Sequence, residues 1–237
     1  KTTTADFSDN FNKQNNTFDY GTDGPGSVAY ALSLNGSNVA SGLYALDAND
    51  KSAVDGDGIG QGTQIALNKV GNDIVGTANG TEYFRISVDG DGKVTFSQSN
   101  NVWHANTGSD DDTSTLTVDQ GKYLKIVQTL TDADGDSDSA SIDLSTGVFK
   151  IQDDGPDAKV KPGQTPDTLT VDESPLPNNG DGIASATSSF ADNFNSGAGF
   201  DYGTDGAGSV SYALLLSANG TASGLYALDA NDKSAND

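Results

Sequence analysis

A stretch of 36 residues in this chain occurs twice: Phe18–Ala53 returns as Phe200–Ala235, 182 positions later and without a gap, with 28 identities. The match reaches upstream, where Phe7-Ser8-Asp9-Asn10-Phe11 answers Phe190-Ala191-Asp192-Asn193-Phe194. Identity at that level is not chance. The chain is therefore expected to be a slice of a tandem array, one long module followed by the opening of another. Near-identical modules in series supply length, valency or a periodic surface more readily than separate chemistries. On this reading residues 1–157 form a first repeat lacking its opening strand. Residues 158–187 hold a Pro-rich linker and the opening of the next repeat, and residues 188–237 are the N-terminal part of that second repeat.

Within the first copy, short apolar runs alternate with polar residues. Tyr83-Phe84-Arg85-Ile86-Ser87-Val88 and Leu124-Lys125-Ile126-Val127-Gln128-Thr129-Leu130 repeat every second residue, as strands do with one face on a core and one in water. The same signal predicts strands over Ser27–Leu34, Gly42–Leu46, Gln64–Lys69, Asp73–Thr77, Lys93–Gln98, Asn101–Ala105, Thr113–Val118, Ser139–Leu144 and Val148–Ile151. Asp89-Gly90-Asp91-Gly92 and Ser145-Thr146-Gly147 read as hairpin turns. No segment reads as a long amphipathic helix. The fold class expected is all-β, an immunoglobulin-like antiparallel β-sandwich. The strand number exceeds a seven-stranded unit, which leaves two sandwiches per repeat or one split domain, with a segment such as Asp6–Ala53 joining the late strands of its own copy. From Asp153 to Asp181, five prolines (Pro156, Pro162, Pro166, Pro175, Pro177) predict an extended, stiff linker, with Thr168–Val171 as a candidate edge strand.

The formal net charge is −22, and of 34 acidic residues only Glu82 and Glu173 are Glu. Such a chain repels nucleic acid and anionic membranes, and Arg85 is its single arginine. Neither nucleic acid nor membrane insertion is expected; no apolar run approaches the roughly 20 residues of a membrane helix. The absence of cysteine excludes disulfides, zinc–thiolate sites and a thiol nucleophile. Aspartate has a short carboxylate that turns back on its own loop or holds a hard cation, so its dominance in Gly-rich loops suggests oxygen-ligand calcium sites.

The sharpest local pattern is Thr131-Asp132-Ala133-Asp134-Gly135-Asp136-Ser137-Asp138, four carboxylates at alternate positions between two strands. A loop curling about Gly135 can aim two or three of them inward toward the six to eight oxygens that calcium takes. An EF-hand would need helices on both sides, and strands are expected here. Asp153-Asp154-Gly155-Pro156-Asp157 closes the last strand, and Val171-Asp172-Glu173-Ser174 appears where the next module opens; the three groups could share ions at the junction. Asp47, Asp50, Asp55 and Asp57, and Asp110-Asp111-Asp112, are weaker candidates, for which a solvated loop is as good a reading. For catalysis the inventory is thin: the single histidine, His104, sits beside the single tryptophan, Trp103, in a strand-like run, and no Glu82–Asp pair stands out. The chain is expected not to be an enzyme.

The Asp132–Asp138 turn, the strand pair after it and the Ile151-Gln152-Asp153-Asp154-Gly155-Pro156 ending resemble the long repeats of giant bacterial RTX adhesins, as does the Val171-Asp172-Glu173-Ser174 opening. The resemblance implies calcium held in loops and linkers, type I secretion, and an extracellular position on the bacterial outer surface. Carried over residue by residue, it gives calcium-ligand roles to Asp132, Asp134, Asp136, Asp153, Asp154, Asp172 and Glu173, with Asp138 and Asp157 beside them. The function expected is a monomeric extender module that contacts neighbouring repeats of its own chain, stiffens with Ca2+ and projects a ligand-binding domain carried elsewhere. The alternative is a repeat that itself grips polysaccharide or a cell-surface partner by avidity; an exposed aromatic cluster including Trp103 would favour it.

Overall fold

The computed structural model describes residues 1–11, 18–52, 54–172, 185–194, 199–231 and 233. Its strands are β1 (Thr2–Asp6), β2 (Pro25–Leu34), β3 (Val39–Leu46), β4 (Gln61–Val70), β5 (Asp73–Ala78), β6 (Thr81–Val88), β7 (Lys93–Gln98), β8 (Thr113–Thr117), β9 (Leu124–Asp132), β10 (Ser137–Asp143) and β11 (Thr146–Gln152). All pairings are antiparallel. One sheet has the order β1-β7-β6-β5-β4-β3; the opposing layer is built from β10-β9-β2 and from the pair β11-β8. This is an antiparallel β-sandwich. A single buried cluster runs from Phe11 through Leu32, Ile65, Phe84, Leu116 and Ile126 to Ile151, so one core, not two, serves the first copy.

Alternation in the sequence explains the layers. On β6, Phe84 and Ile86 are fully buried while Arg85 between them faces out, binding Glu82 and Asp73. Phe84 packs edge-on against Phe96 of β7, which in turn meets Phe149 of β11, so aromatic rings tie the two layers together. Gly76 of β5 is required by that arrangement, because a Cβ there would collide with the Phe84 ring.

The segment after the first repeat motif does join the late strands of its own copy. β2 lies along β9 with Val28 opposite Leu130, Tyr30 opposite Gln128, Leu32 opposite Ile126 and Leu34 opposite Leu124. Leu32, Leu124 and Ile126 are completely buried by this pairing. Gln128 is buried too, and its amide donates to the Tyr30 hydroxyl at 2.8 Å, which satisfies the polar group inside the layer. On the other side of the core, the buried Ser41 hydroxyl donates to the Ile65 carbonyl at 2.6 Å and accepts from the Leu43 amide at 3.1 Å.

Two strand expectations fail locally, and one strand was not anticipated. Thr2–Asp6 is a strand although it lacks large apolar residues, because it completes the edge of β7 by backbone pairing, with a hydroxyl contact from Thr2 to Ser97. Asn101–Ala105 is not a strand: only Val102 makes a bridge, to Ala45, and the chain then turns away. Thr168–Val171 is not a strand either. The Pro-rich stretch is not a bare rod, since Asp157 bridges to Asp201 and Val160 to Phe194, so its first half is bonded to the upstream part of the second copy.

The chain divides into two compact units, Lys1–Gly206 and Ala207–Asp237. The second unit has no strand among its described residues, although it carries the residues that form β2 and β3 in the first copy.

Candidate metal centres

Antiparallel alternation gathers the acidic loops. β2 begins where β9 ends, β10 begins from the same turn, and β11 runs back from the far turn to the Asp153-Asp154 ending. The loop before β2 and the β9–β10 turn therefore adjoin, and they place Asp23, Asp132 and Asp134 together: one carboxylate oxygen from each lies within 4.8 Å of the others. Asp132 builds the turn as well as the site. Its Oδ1 accepts from the amides of Gly135 (3.0 Å) and Asp136 (2.9 Å), its own amide donates to the Asp136 carbonyl (2.9 Å), and Gly135 takes a φ of +106°. The Ala133 amide donates to the Gly24 carbonyl at 3.1 Å, pinning the two loops to each other. A hydrogen bond shared with the Asp134 carboxyl, and then the turn amides, hold Asp132 below the ordinary carboxylate range.

Of the four carboxylates in the turn, of which the sequence let two or three aim inward, Asp132 and Asp134 lie together with Asp23. Asp136 and Asp138 stand outside the three-carboxylate group and line a shallow groove with Asp19, Tyr20 and Asp132. Asp138 Oδ1 accepts from the next amide, that of Ser139, at 2.8 Å. Asp23 escaped notice because it is distant in sequence; its presence in the repeated Tyr-Gly-Thr-Asp-Gly run was the available signal.

A second group comprises Asp50, Asp55 and Asp57. Asp50 is fixed by the amides of Ser52 on Oδ1 and Gly60 on Oδ2, both at 2.9 Å. The Asp55 and Asp57 carboxyls share a hydrogen bond, which draws Asp55 down and pushes Asp57 up. Two carboxyls this close favour a proton or a cation shared between them. Both groups fit a hard divalent ion in donor type and openness: three carboxylates supply part of the oxygen set, and water can reach the remainder. Trp103 braces the second loop, donating Nε1–H to the Ile59 carbonyl (2.9 Å), covering Gly58 and meeting the Tyr44 ring edge-on at 6.1 Å.

Asp153, Asp154 and Asp157 form a junction instead of a converging group. The Asp153 amide donates to the Asp112 carbonyl (2.9 Å) and the Gly155 amide to the Asp110 carbonyl (3.2 Å), fastening the end of β11. The Asp157 amide donates to the Asp201 carbonyl and the Thr204 amide to the Asp154 carbonyl, each at 3.1 Å. Gly203 is needed there: a Cβ would collide with the Asp154 carbonyl, whereas its first-copy counterpart Gly21 has open space. Asp157 also pairs with Lys159. Asp172 is half-buried and belongs to neither carboxylate group among the described residues; Glu173 lies outside the described residues.

The acidic residue that the junction gains is Asp205. Burial first, then the charge of Asp153 and, less, of Asp154, raises it above the ordinary carboxylate range, against His104 and a 3.2 Å hydrogen bond from Asn101. An acid raised on folding binds its proton more tightly in the docked state, so docking loosens as pH climbs from about 4, the unfolded value, through the folded one. Asp205→Asn is therefore expected to tighten the 200–206 loop at pH 7 in chelator and to make no difference below about pH 4. Exchange of the Thr204 amide reads this; slower exchange of the wild type at pH 7 would refute it. His104 Nδ1 faces the Ser114 hydroxyl at 3.2 Å and Asp112 Oδ1 at 3.7 Å. Acid and hydroxyl thus address one ring nitrogen, unlike the two-sided order of a serine–histidine–acid triad.

A family model described as Domain of unknown function (DUF5801) matches residues 1–145 and 168–235. No curated protein and no solved structure matches the chain. The family match resumes at Thr168, close to the Val171-Asp172-Glu173-Ser174 opening and within the stretch that separates the two copies.

Proposed function

This chain belongs to the DUF5801 family, and we propose that it is a calcium-stiffened extender module of a bacterial surface adhesin, one unit in a series that holds a distal ligand-binding domain away from the cell. The observation that carries the reading is the convergence of Asp23, Asp132 and Asp134 in a chain of net charge −22. A cation between them would bind the loop before β2 to the β9–β10 turn and offset the repulsion among the three carboxylates. Metal that binds the folded state in preference to the unfolded one adds its binding free energy to folding. Extracellular calcium modules have dissociation constants on the order of 10⁻⁴ to 10⁻³ M, so such sites fill outside a cell and empty within it. The resemblance to RTX adhesin repeats supplies the surface location and the export route.

The junction supports the spacer role. Backbone bonds from Asp157 to Asp201 and from Thr204 to Asp154 tie the end of the first copy to the Phe200–Gly206 loop. Trp103 is engaged with Gly58, Ile59 and Tyr44 as a brace, which is the reason to prefer the spacer over the glycan-gripping alternative. The test is calorimetric calcium titration of the chain and of Asp134→Asn, with a glycan array alongside. The reading expects millimolar or tighter binding that the substitution weakens by at least about tenfold, and no specific glycan. Unchanged affinity in Asp134→Asn, or glycan recognition by the chain, would overturn it.

A further inference from the structure

Strand β10 ends its sheet and pairs on one side only, with β9, from Ser137 opposite Thr131 to Asp143 opposite Lys125. Bonded and non-bonded pairs alternate along an antiparallel ladder. The Asp132 amide donates to the Asp136 carbonyl and the Leu144 amide to the Leu124 carbonyl, which fixes the phase: Asp138, Ala140 and Ile142 bond to β9. The backbone groups of Ser137, Ser139, Ser141 and Asp143 therefore point away from it. Proteins commonly blunt such edges with proline, lysine or a bulge. β2, at the other end of the sheet, opens on Pro25 and a register shift, and β11 has a shift and Lys150. Ser137-Asp138-Ser139-Ala140-Ser141-Ile142-Asp143 has none of these devices. Its one cover is light: the Ser139 amide donates to Asp138 Oδ1 at 2.8 Å.

Beside this edge lies the shallow groove, of about 300 Å³. Asp138 pairs with Leu130 and Ala140 with the buried Gln128, so these β10 residues share the face that carries the core. Leu130, Ala140 and Tyr20 give the groove apolar surface, and Asp19, Asp136 and Asp138 give it negative charge. Those three carboxylates lie outside both metal groups, so the charge stays whether or not calcium binds.

We infer that the β10 edge and this groove are a docking site for an extended basic segment of another protein, added as a strand with Lys or Arg at alternate positions. The Asp138 bond selects the charge. A guest carbonyl that takes the Ser139 amide releases the Asp138 carboxylate, and a guest cation then meets it. Every second guest side chain falls on the groove side. A lysine stem there lies along Leu130 and Ala140 while its ammonium reaches Asp19 or Asp136. A second copy of this chain is the wrong guest, since it brings a net charge of −22 and its own Asp138 and Asp143 to the same edge.

The probe is a capped peptide of about ten residues alternating Lys and Thr, titrated into the full chain by fluorescence anisotropy in chelator and in calcium. Two further peptides, N-methylated at the lysines or at the threonines, carry the same charge. One should bind at least about tenfold more weakly and the other within about threefold of the parent, because only one set of amides faces β10. Ser141→Pro, which removes an outward amide and spares the β9 ladder, should weaken the parent peptide by at least about tenfold. Asp19→Asn with Asp136→Asn should weaken it by at least about threefold. Binding should persist in chelator and in Asp134→Asn, which separates this result from the fate of the calcium reading. Equal responses to the two methylated peptides would mean diffuse attraction to an acidic surface and would overturn the inference, and that comparison uses the unaltered chain. No binding at about 1 mM peptide, or a dimer of the chain that Ser141→Pro dissociates, would overturn it as well.

Discussion

Moving the chain from chelator into about 10 mM calcium should raise its unfolding temperature by about 3–10 °C for each site that fills. The arithmetic is short. For dissociation constants of about 10⁻⁴ to 10⁻³ M, that concentration stabilises the folded state by about 1.4–2.7 kcal/mol per site. Each kcal/mol moves the midpoint of a domain this size by about 2–4 °C. Two sites could respond, Asp23–Asp132–Asp134 and Asp50–Asp55–Asp57, and single substitutions separate them. Asp134→Asn should remove the first increment and leave the second, and Asp57→Asn the reverse. Magnesium at the same concentration should do much less, because it demands tight octahedral geometry and gives up water reluctantly. Coincident melting curves in calcium and chelator would end the calcium reading.

The second large effect is an asymmetry between two identical residues. Leu32→Ala should cost about 2–5 kcal/mol, since Leu32 is fully buried against Ile126 and the layer cannot collapse around the missing methyls. Leu214→Ala, the same change at the same repeat position, should stay within about 0.5 kcal/mol, because Leu214 touches solvent. Denaturant unfolding of the two variants beside the wild type measures both, with unchanged slope showing that compactness is not what moved. Equal losses would mean that the second copy shares the stability of the first.

That asymmetry also marks what the sequence could and could not convey. Period-two runs such as Tyr83–Val88 and Leu124–Leu130 announced their strands because burial on one face writes itself into neighbouring residues. Thr2–Asp6 was illegible, since an edge strand held by backbone bonds needs no apolar code. Asn101–Ala105 misled for the opposite reason: Val102 and Trp103 are apolar to plug the end of the sandwich and brace a loop, not to extend a sheet. The Asp132–Asp138 turn was readable as a loop curled about Gly135. Which carboxylates meet was not, because Asp23 reaches Asp132 and Asp134 through tertiary pairing of β2 with β9. Asp205 was hidden in the same way, its neighbours Asp153 and Asp154 being supplied by another copy of the repeat.

The union of β2 with β9 also governs when folding can finish. Tyr30 and Gln128 are 98 positions apart, and closing a loop of that length costs about 4 kcal/mol of chain entropy before any contact repays it. Strands β3 to β7 pair with their neighbours in sequence, so their sheet is built from local contacts, whereas β2 lacks its partner strand until β9 is available. Closing the β2–β9 pair, and not forming the hairpins, is then the slow step of folding.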